Sequence, residues 1–96
     1  MKKQKNIGEI PARLLGMVAE DYNISMTAII GSKRNFELVD ARSVVALVLF
    51  SMGYPKKTIG RLLSDRHHTT IINLIERARE RKDLQKYVKK YYKLLK

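Results

Sequence analysis

Between Asp65 and Arg81 the chain reads DRHHTTIINLIERARER, which gathers Arg66, His67, His68, Thr69, Thr70 and Asn73 within about two helical turns. Three chemistries are open to such a set. Imidazoles bind metals, but on a helix His67 and His68 diverge by about 100°, whereas a chelating pair needs i, i+4 spacing. With no cysteine in the chain and few carboxylates nearby, a metal is not expected. A threonine nucleophile would need a base, an orienting acid and a pocket, and Asp65 is more economically a helix cap. The third chemistry is recognition of base edges. Arg66 can pair bidentately with guanine and Asn73 with adenine, and the threonine methyls or an imidazole edge can pack on a thymine methyl. Plain helix-start chemistry also favours threonine at these positions.

The surrounding composition weighs on that choice. Ninety-six residues make a single domain, and 20 Lys and Arg against 9 Asp and Glu leave a net charge of +11 on a chain that is 45% hydrophobic. A folded basic domain attracts polyanions, meaning nucleic acid or an anionic membrane surface. The absence of cysteine fits a reducing, intracellular compartment. The longest apolar run, Val44 to Phe50 (VVALVLF), is too short to span a bilayer, and the opening MKKQKNIGEIPARLLGMV lacks an apolar core of signal-peptide length.

The elements that must position these residues read as helices throughout. After a basic tail over residues 1–6, Ile10, Leu14, Met17, Val18 and Tyr22 share a face of a first helix, with Pro11 in its first turn and Asn23 ending it. Ser25 is placed to cap a short helix over Met26 to Ile30, which Gly31 stops. From Val39 to Met52 the chain is apolar on nearly every side, as a central helix surrounded by neighbours must be. Gly53 terminates it, Pro55 opens the next helix, and Ile59, Leu62 and Leu63 form that helix's buried face, with Ser64 or Asp65 as a candidate cap after the turn. On the helix beginning near His67, Ile71, Leu74, Ile75 and Ala78 fall inward, while Thr69, Asn73, Glu76, Arg77 and Glu80 project outward. A last helix, capped by Asp83, aligns Leu84, Tyr87, Val88, Tyr91, Leu94 and Leu95 and turns Lys86, Lys89, Lys90, Lys93 and Lys96 to solvent. Those lysines read equally as a solvated face, and the tyrosines as core packing rather than base-stacking groups.

Residues 56–81 thus have the layout of a helix-turn-helix: a short helix, a turn of about four residues, then a longer helix with its N-terminus exposed. Lys56 and Lys57 head its first helix, where phosphate contact is expected. The segment Ile59 to Ile72, IGRLLSDRHHTTII, resembles the signature of the C-terminal DNA-binding domain of DnaA, the bacterial chromosomal replication initiator, commonly IG-x-x-F-x-x-RDHTTV. IPARLLGMVAEDYNISMTAIIGSKR resembles that domain's opening helices and basic loop, and DARSVVALVLF its long central helix. The sequence departs from the pattern at His67, which stands in place of an Asp. It also departs in SKRNFELVDAR, where Phe36 lies near the groove-inserting Arg and Glu37 and Asp40 are added. No G-x-x-x-x-G-K-[ST] nucleotide-binding loop occurs.

The resemblance implies an all-α fold of about six helices, Trp-repressor-like and DnaA C-terminal-like, occupying residues 7–96. Its partner would be double-stranded DNA, with Arg66, His67, His68, Thr69, Thr70 and Asn73 reading bases. Lys33, Arg34, Arg42, Lys56, Lys57, Arg61 and Arg77 would meet the backbone or minor groove. The expected protein is a non-enzymatic bacterial DNA binder for replication control or transcription regulation. It would be cytoplasmic and nucleoid-associated, monomeric on DNA, without cofactor, metal, nucleotide or membrane, and open to a replication or regulatory protein as a further partner. The alternative is a protein-interaction adaptor that keeps the initiator-like fold and only nonspecific DNA affinity.

Overall fold

The computed structural model describes residues 8–64 and 66–96. Six helices account for them: α1 Glu9–Tyr22, α2 Met26–Ile30, α3 Phe36–Ser51, α4 Lys56–Leu62, α5 His68–Glu80 and α6 Lys82–Leu95. No strand occurs among the described residues. The basic tail over residues 1–6 and Asp65 lie outside them.

Local chemistry sets most of these boundaries. Asn23 takes the left-handed conformation (φ 56°) that turns the chain after α1, and Ser25 Oγ accepts the Ala28 N–H at 3.0 Å as the cap of α2. Gly53, at φ +99°, comes just after the end of α3 in a conformation that a side chain would strain. Three expectations are corrected. α3 begins at Phe36 rather than Val39, so the segment Phe36 to Leu38 forms its first turn. α6 begins at Lys82 without a side-chain cap, and Asp83 instead receives the Arg81 Nη2–H at 2.8 Å. Leu94, placed on the apolar stripe, is 55% exposed, because it sits at the edge of that stripe near the end of α6.

The core is organised around α3. Every residue from Ala41 to Leu49 is buried, and the helix packs against all five others. α5 contributes Ile71, Leu74, Ile75 and Ala78, and α6 contributes Leu84, Val88, Tyr91 and Leu95. Polar ties fix the outer helices around this axis. Asp21 at the end of α1 accepts both the Tyr91 hydroxyl at 2.6 Å and the Lys90 ammonium at 2.9 Å. The hydrogen bond from Tyr91, with that from Lys90, holds the Asp21 carboxyl below its ordinary value. Asp40 on α3 accepts from Arg77 Nε at 2.9 Å and from Arg81 Nη1 and Nη2 at 3.2 Å, clamping the junction of α5 and α6. Asp40, one of the added acids of SKRNFELVDAR, is thus a structural acceptor within the domain.

Candidate nucleic-acid interface

The turn from α4 into α5 is built on one close approach. The Arg66 backbone N–H donates to Gly60 O at 3.0 Å, and a Cβ on Gly60 would lie 2.5 Å from Arg66 O. Only glycine lets the two arms of the turn meet at that distance. Ser64, in the left-handed region at φ 67°, donates its hydroxyl to Ile30 O at 2.6 Å and does not cap α5. That role falls to His67, whose Nδ1 accepts the Thr69 N–H at 3.2 Å. The sequence signal for it was slight, since histidine is not among the usual caps. Because His67 precedes the helix, its ring does not diverge from that of His68 as two helical residues would. The rings stack, with centroids 5.1 Å apart and planes 23° from parallel.

This turn aims a compact polar head outward. His67, His68, Thr69, Thr70 and Asn73 are all exposed, while Ile71, Leu74, Ile75 and Ala78 of the same helix are buried. The amides of the first turn of α5 add partial positive charge at that end. Beside the head lies an open concavity of about 470 Å³ lined by Lys56, Lys57, Arg61, Arg66 and His68. Lys56 is steadied by its ammonium lying 4.7 Å from the centre of the Phe50 ring. The structure therefore brings together Lys56, Lys57 and Arg61 of α4 with the head of α5.

Two arginines of the expected DNA-contacting set are employed elsewhere. Arg42 is 2% exposed: its Nε donates to Ile29 O at 2.6 Å and its Nη2 to Ala28 O and Gly31 O at 3.0 and 2.9 Å. It closes the carbonyl end of α2 from inside the domain and cannot reach a phosphate, which corrects its assignment. Arg66 borders the concavity, but its Nη1 donates to Leu63 O at 2.5 Å and its Nη2 to Gly31 O at 2.6 Å. The guanidinium is a strut between the turn and the α2–α3 connection, so it is not free for a guanine fork, and the outward head begins at His67. Arg77, expected on the backbone, is shared with Asp40.

The strut has an electrostatic consequence. Lys33 and Arg34 are exposed on the connection that Arg66 and Ser64 tie to the turn. Burial, then the nearby Arg34 cation, push Arg66 below the ordinary arginine value; burial, then Arg66 and Arg34, do the same to Arg42. Three guanidinium groups thus share one field, and an anion brought there would relieve it. Phe36, at the start of α3 just beyond this connection, is 80% exposed.

The model of the bacterial DnaA protein helix-turn-helix family matches residues 11–78, which include the turn, the head of α5 and the basic concavity. The chain belongs to that DnaA helix-turn-helix family. Among curated proteins it is similar to the chromosomal replication initiator protein DnaA of Acholeplasma laidlawii, with 32% identity over 68 residues, 69% of this chain and 15% of that protein. It is also similar to the chromosomal replication initiator protein DnaA of Oenococcus oeni, with 36% identity over 63 residues, 62% of this chain and 14% of that protein. The matched part thus spans about one seventh of those DnaA proteins. The family match ends inside α5, so α6, though packed on the core, falls beyond it. No helix among the described residues is long and apolar enough to cross a membrane.

Proposed function

We propose that this DnaA-family domain binds double-stranded DNA sequence-specifically, with the head of α5 in the major groove. His67, His68, Thr69, Thr70 and Asn73 meet base edges there. Lys56, Lys57 and Arg61 take the phosphates alongside, and Lys33 and Arg34 reach the backbone or the neighbouring minor groove from the α2–α3 connection. The observation that carries the reading is the joining of an exposed polar helix head to a concavity lined by Lys56, Lys57, Arg61, Arg66 and His68 in a chain of this family. Replication control is the first setting, since the similar proteins are named chromosomal replication initiators; transcription regulation is the second. The chain acts as a monomer that marks a site. It performs no nucleotide chemistry itself, as no phosphate-binding G-x-x-x-x-G-K-[ST] loop is present in it.

Selection of bound duplexes from a random pool at physiological salt tests this. An enriched motif of several base pairs is expected, and Thr70→Ala should relax it, with each lost base contact worth about 1–3 kcal/mol of discrimination. Lys57→Ala should weaken motif and random duplexes alike. Retention of the pool without enrichment would reject sequence reading, and no retention at all would turn the assignment to a protein-interaction adaptor.

A further inference from the structure

Among the described residues, a long array of cations without ion pairs lies outside the interface just described. Lys82, Lys86, Lys89, Lys93 and Lys96 succeed one another at spacings of four, three, four and three residues. At about 100° and 1.5 Å per residue they fall within an arc of about 80° and run straight for about 21 Å along α6. All five are exposed, and none forms an ion pair among the described residues. Their neighbour Lys90, off the line, is the one that α1 neutralises through Asp21. The array faces directly away from Leu84, Val88, Tyr91 and Leu95, which are buried in the core.

A straight row of five ammonium groups repels itself and calls for an extended anion. Over the same 21 Å a DNA duplex presents roughly a dozen phosphates. A membrane surface is the other broad class of polyanion, but an interfacial helix must insert its apolar side, and here that side is the core of the domain. The row is also a different surface from the concavity. The concavity is lined from α4 and the first residues of α5, whereas α6 starts where α5 ends, about 20 Å along that helix. We propose that the lysine row of α6 is a second, sequence-independent duplex-binding surface, which lets a chain held by the head of α5 grip another DNA segment.

Two measurements on the full chain test this. In the first, Thr69→Ala/Thr70→Ala/Asn73→Ala removes the α5 head, and binding to a random duplex is measured from 50 to 200 mM salt. Residual, steeply salt-dependent binding is expected, and adding Lys82→Gln/Lys86→Gln/Lys89→Gln/Lys93→Gln should lower it at least tenfold. In the second, chain bound to an immobilised duplex is offered a labelled free duplex. The unsubstituted chain and a Lys→Arg version of the same four positions should capture it. The Gln version should lose capture while holding the first duplex within about twofold and keeping its far-UV circular dichroism. Capture unchanged by the Gln substitutions would overturn the proposal, as would a parallel loss of first-duplex affinity. So would lysine-dependent binding to phosphatidylserine vesicles without capture of a second duplex. If the triple alanine variant bound every duplex as the unsubstituted chain does while the lysine effect persisted, the α5 reading would fail and the second surface would stand.

Discussion

At the scale of single residues, chemistry that looks interchangeable in the sequence is divided by position. Arg34, Arg42, Arg61 and Arg66 carry the same guanidinium, yet Arg42 and Arg66 hold backbone carbonyls and Arg61 lines the concavity. What separates them is tertiary placement, and Arg42 reaches carbonyls 11 to 14 residues back in the chain, Arg66 one that is 35 back. No spacing rule within a helix carries that information, which is why the motif and the family resemblance point both toward DNA. Gly60 is a contrasting case, fixed by the turn itself, where its carbonyl accepts the Arg66 backbone N–H at 3.0 Å. Gly60→Ala is expected to destabilise the domain by about 1–3 kcal/mol, the usual cost of forcing an added carbon into a packed site. Its Cβ meets backbone, Arg66 O, rather than a side chain that could swing away. Chemical denaturation would measure this, and a variant as stable as the parent would mean that the turn relaxes freely.

At the scale of elements, the inward faces were legible and the ends less so. Ile71, Leu74, Ile75 and Ala78 keep to the period of α5 and are buried, and the apolar-all-round composition of α3 matches its place at the centre. The start of α3 is not legible because Phe36, Glu37 and Leu38 carry no run of apolar spacing and the helix opens at Asn35 without a side-chain cap. The cap of α5 is not legible because an imidazole acts where serine or aspartate is the usual acceptor. That cap works through Nδ1, which offers its lone pair to the Thr69 N–H in the first turn of the helix. Removing the acceptor in His67→Ala should therefore cost about 0.5–2 kcal/mol, and His67→Asn, which retains an acceptor, should recover most of it. Thermal unfolding of the two variants gives the comparison. Equal stabilities would show that the cap contributes nothing and leave base contact as the reason for the residue. The same experiment repeated on DNA separates the two roles, because His67→Asn keeps the helix start and changes only what is presented to the groove.

At the scale of the whole molecule, a charge of +11 must be held together by a few well-placed acids, and this sets its response to solution conditions. Asp21 joins α1 to α6, and its carboxylate is favoured in the fold by the Tyr91 hydroxyl and the Lys90 ammonium. A carboxyl lowered by folding contributes stability that is complete above its ordinary value of 3.8 and is lost as the pH falls from there toward the lower folded value. Asp21→Asn should thus be less stable than the parent at neutral pH, and the gap should close as the solution is taken below pH 3.8. Unfolding curves at pH 7 and pH 3 test it, and a gap independent of pH would show that the tie acts through packing alone.

The same excess charge gives salt two opposite effects, and their opposition distinguishes a DNA-binding surface from a merely solvated one. In the free chain, added salt screens repulsion among the lysines of α6 and among Arg34, Arg42 and Arg66, so Tm is expected to rise between 50 and 300 mM, with about 10 Å of screening length at 0.1 M to act across those distances. In the presence of excess duplex, binding to the folded chain adds stability by mass action, and that gain shrinks as released counterions lose their drive. The two melting curves should therefore converge with salt from both sides, the free one climbing and the bound one falling. A bound-state Tm that rose in parallel with the free one would mean that duplex affinity does not depend on counterion release. The concavity between α4 and α5 would then be an ordinary basic surface rather than the seat of a phosphate backbone.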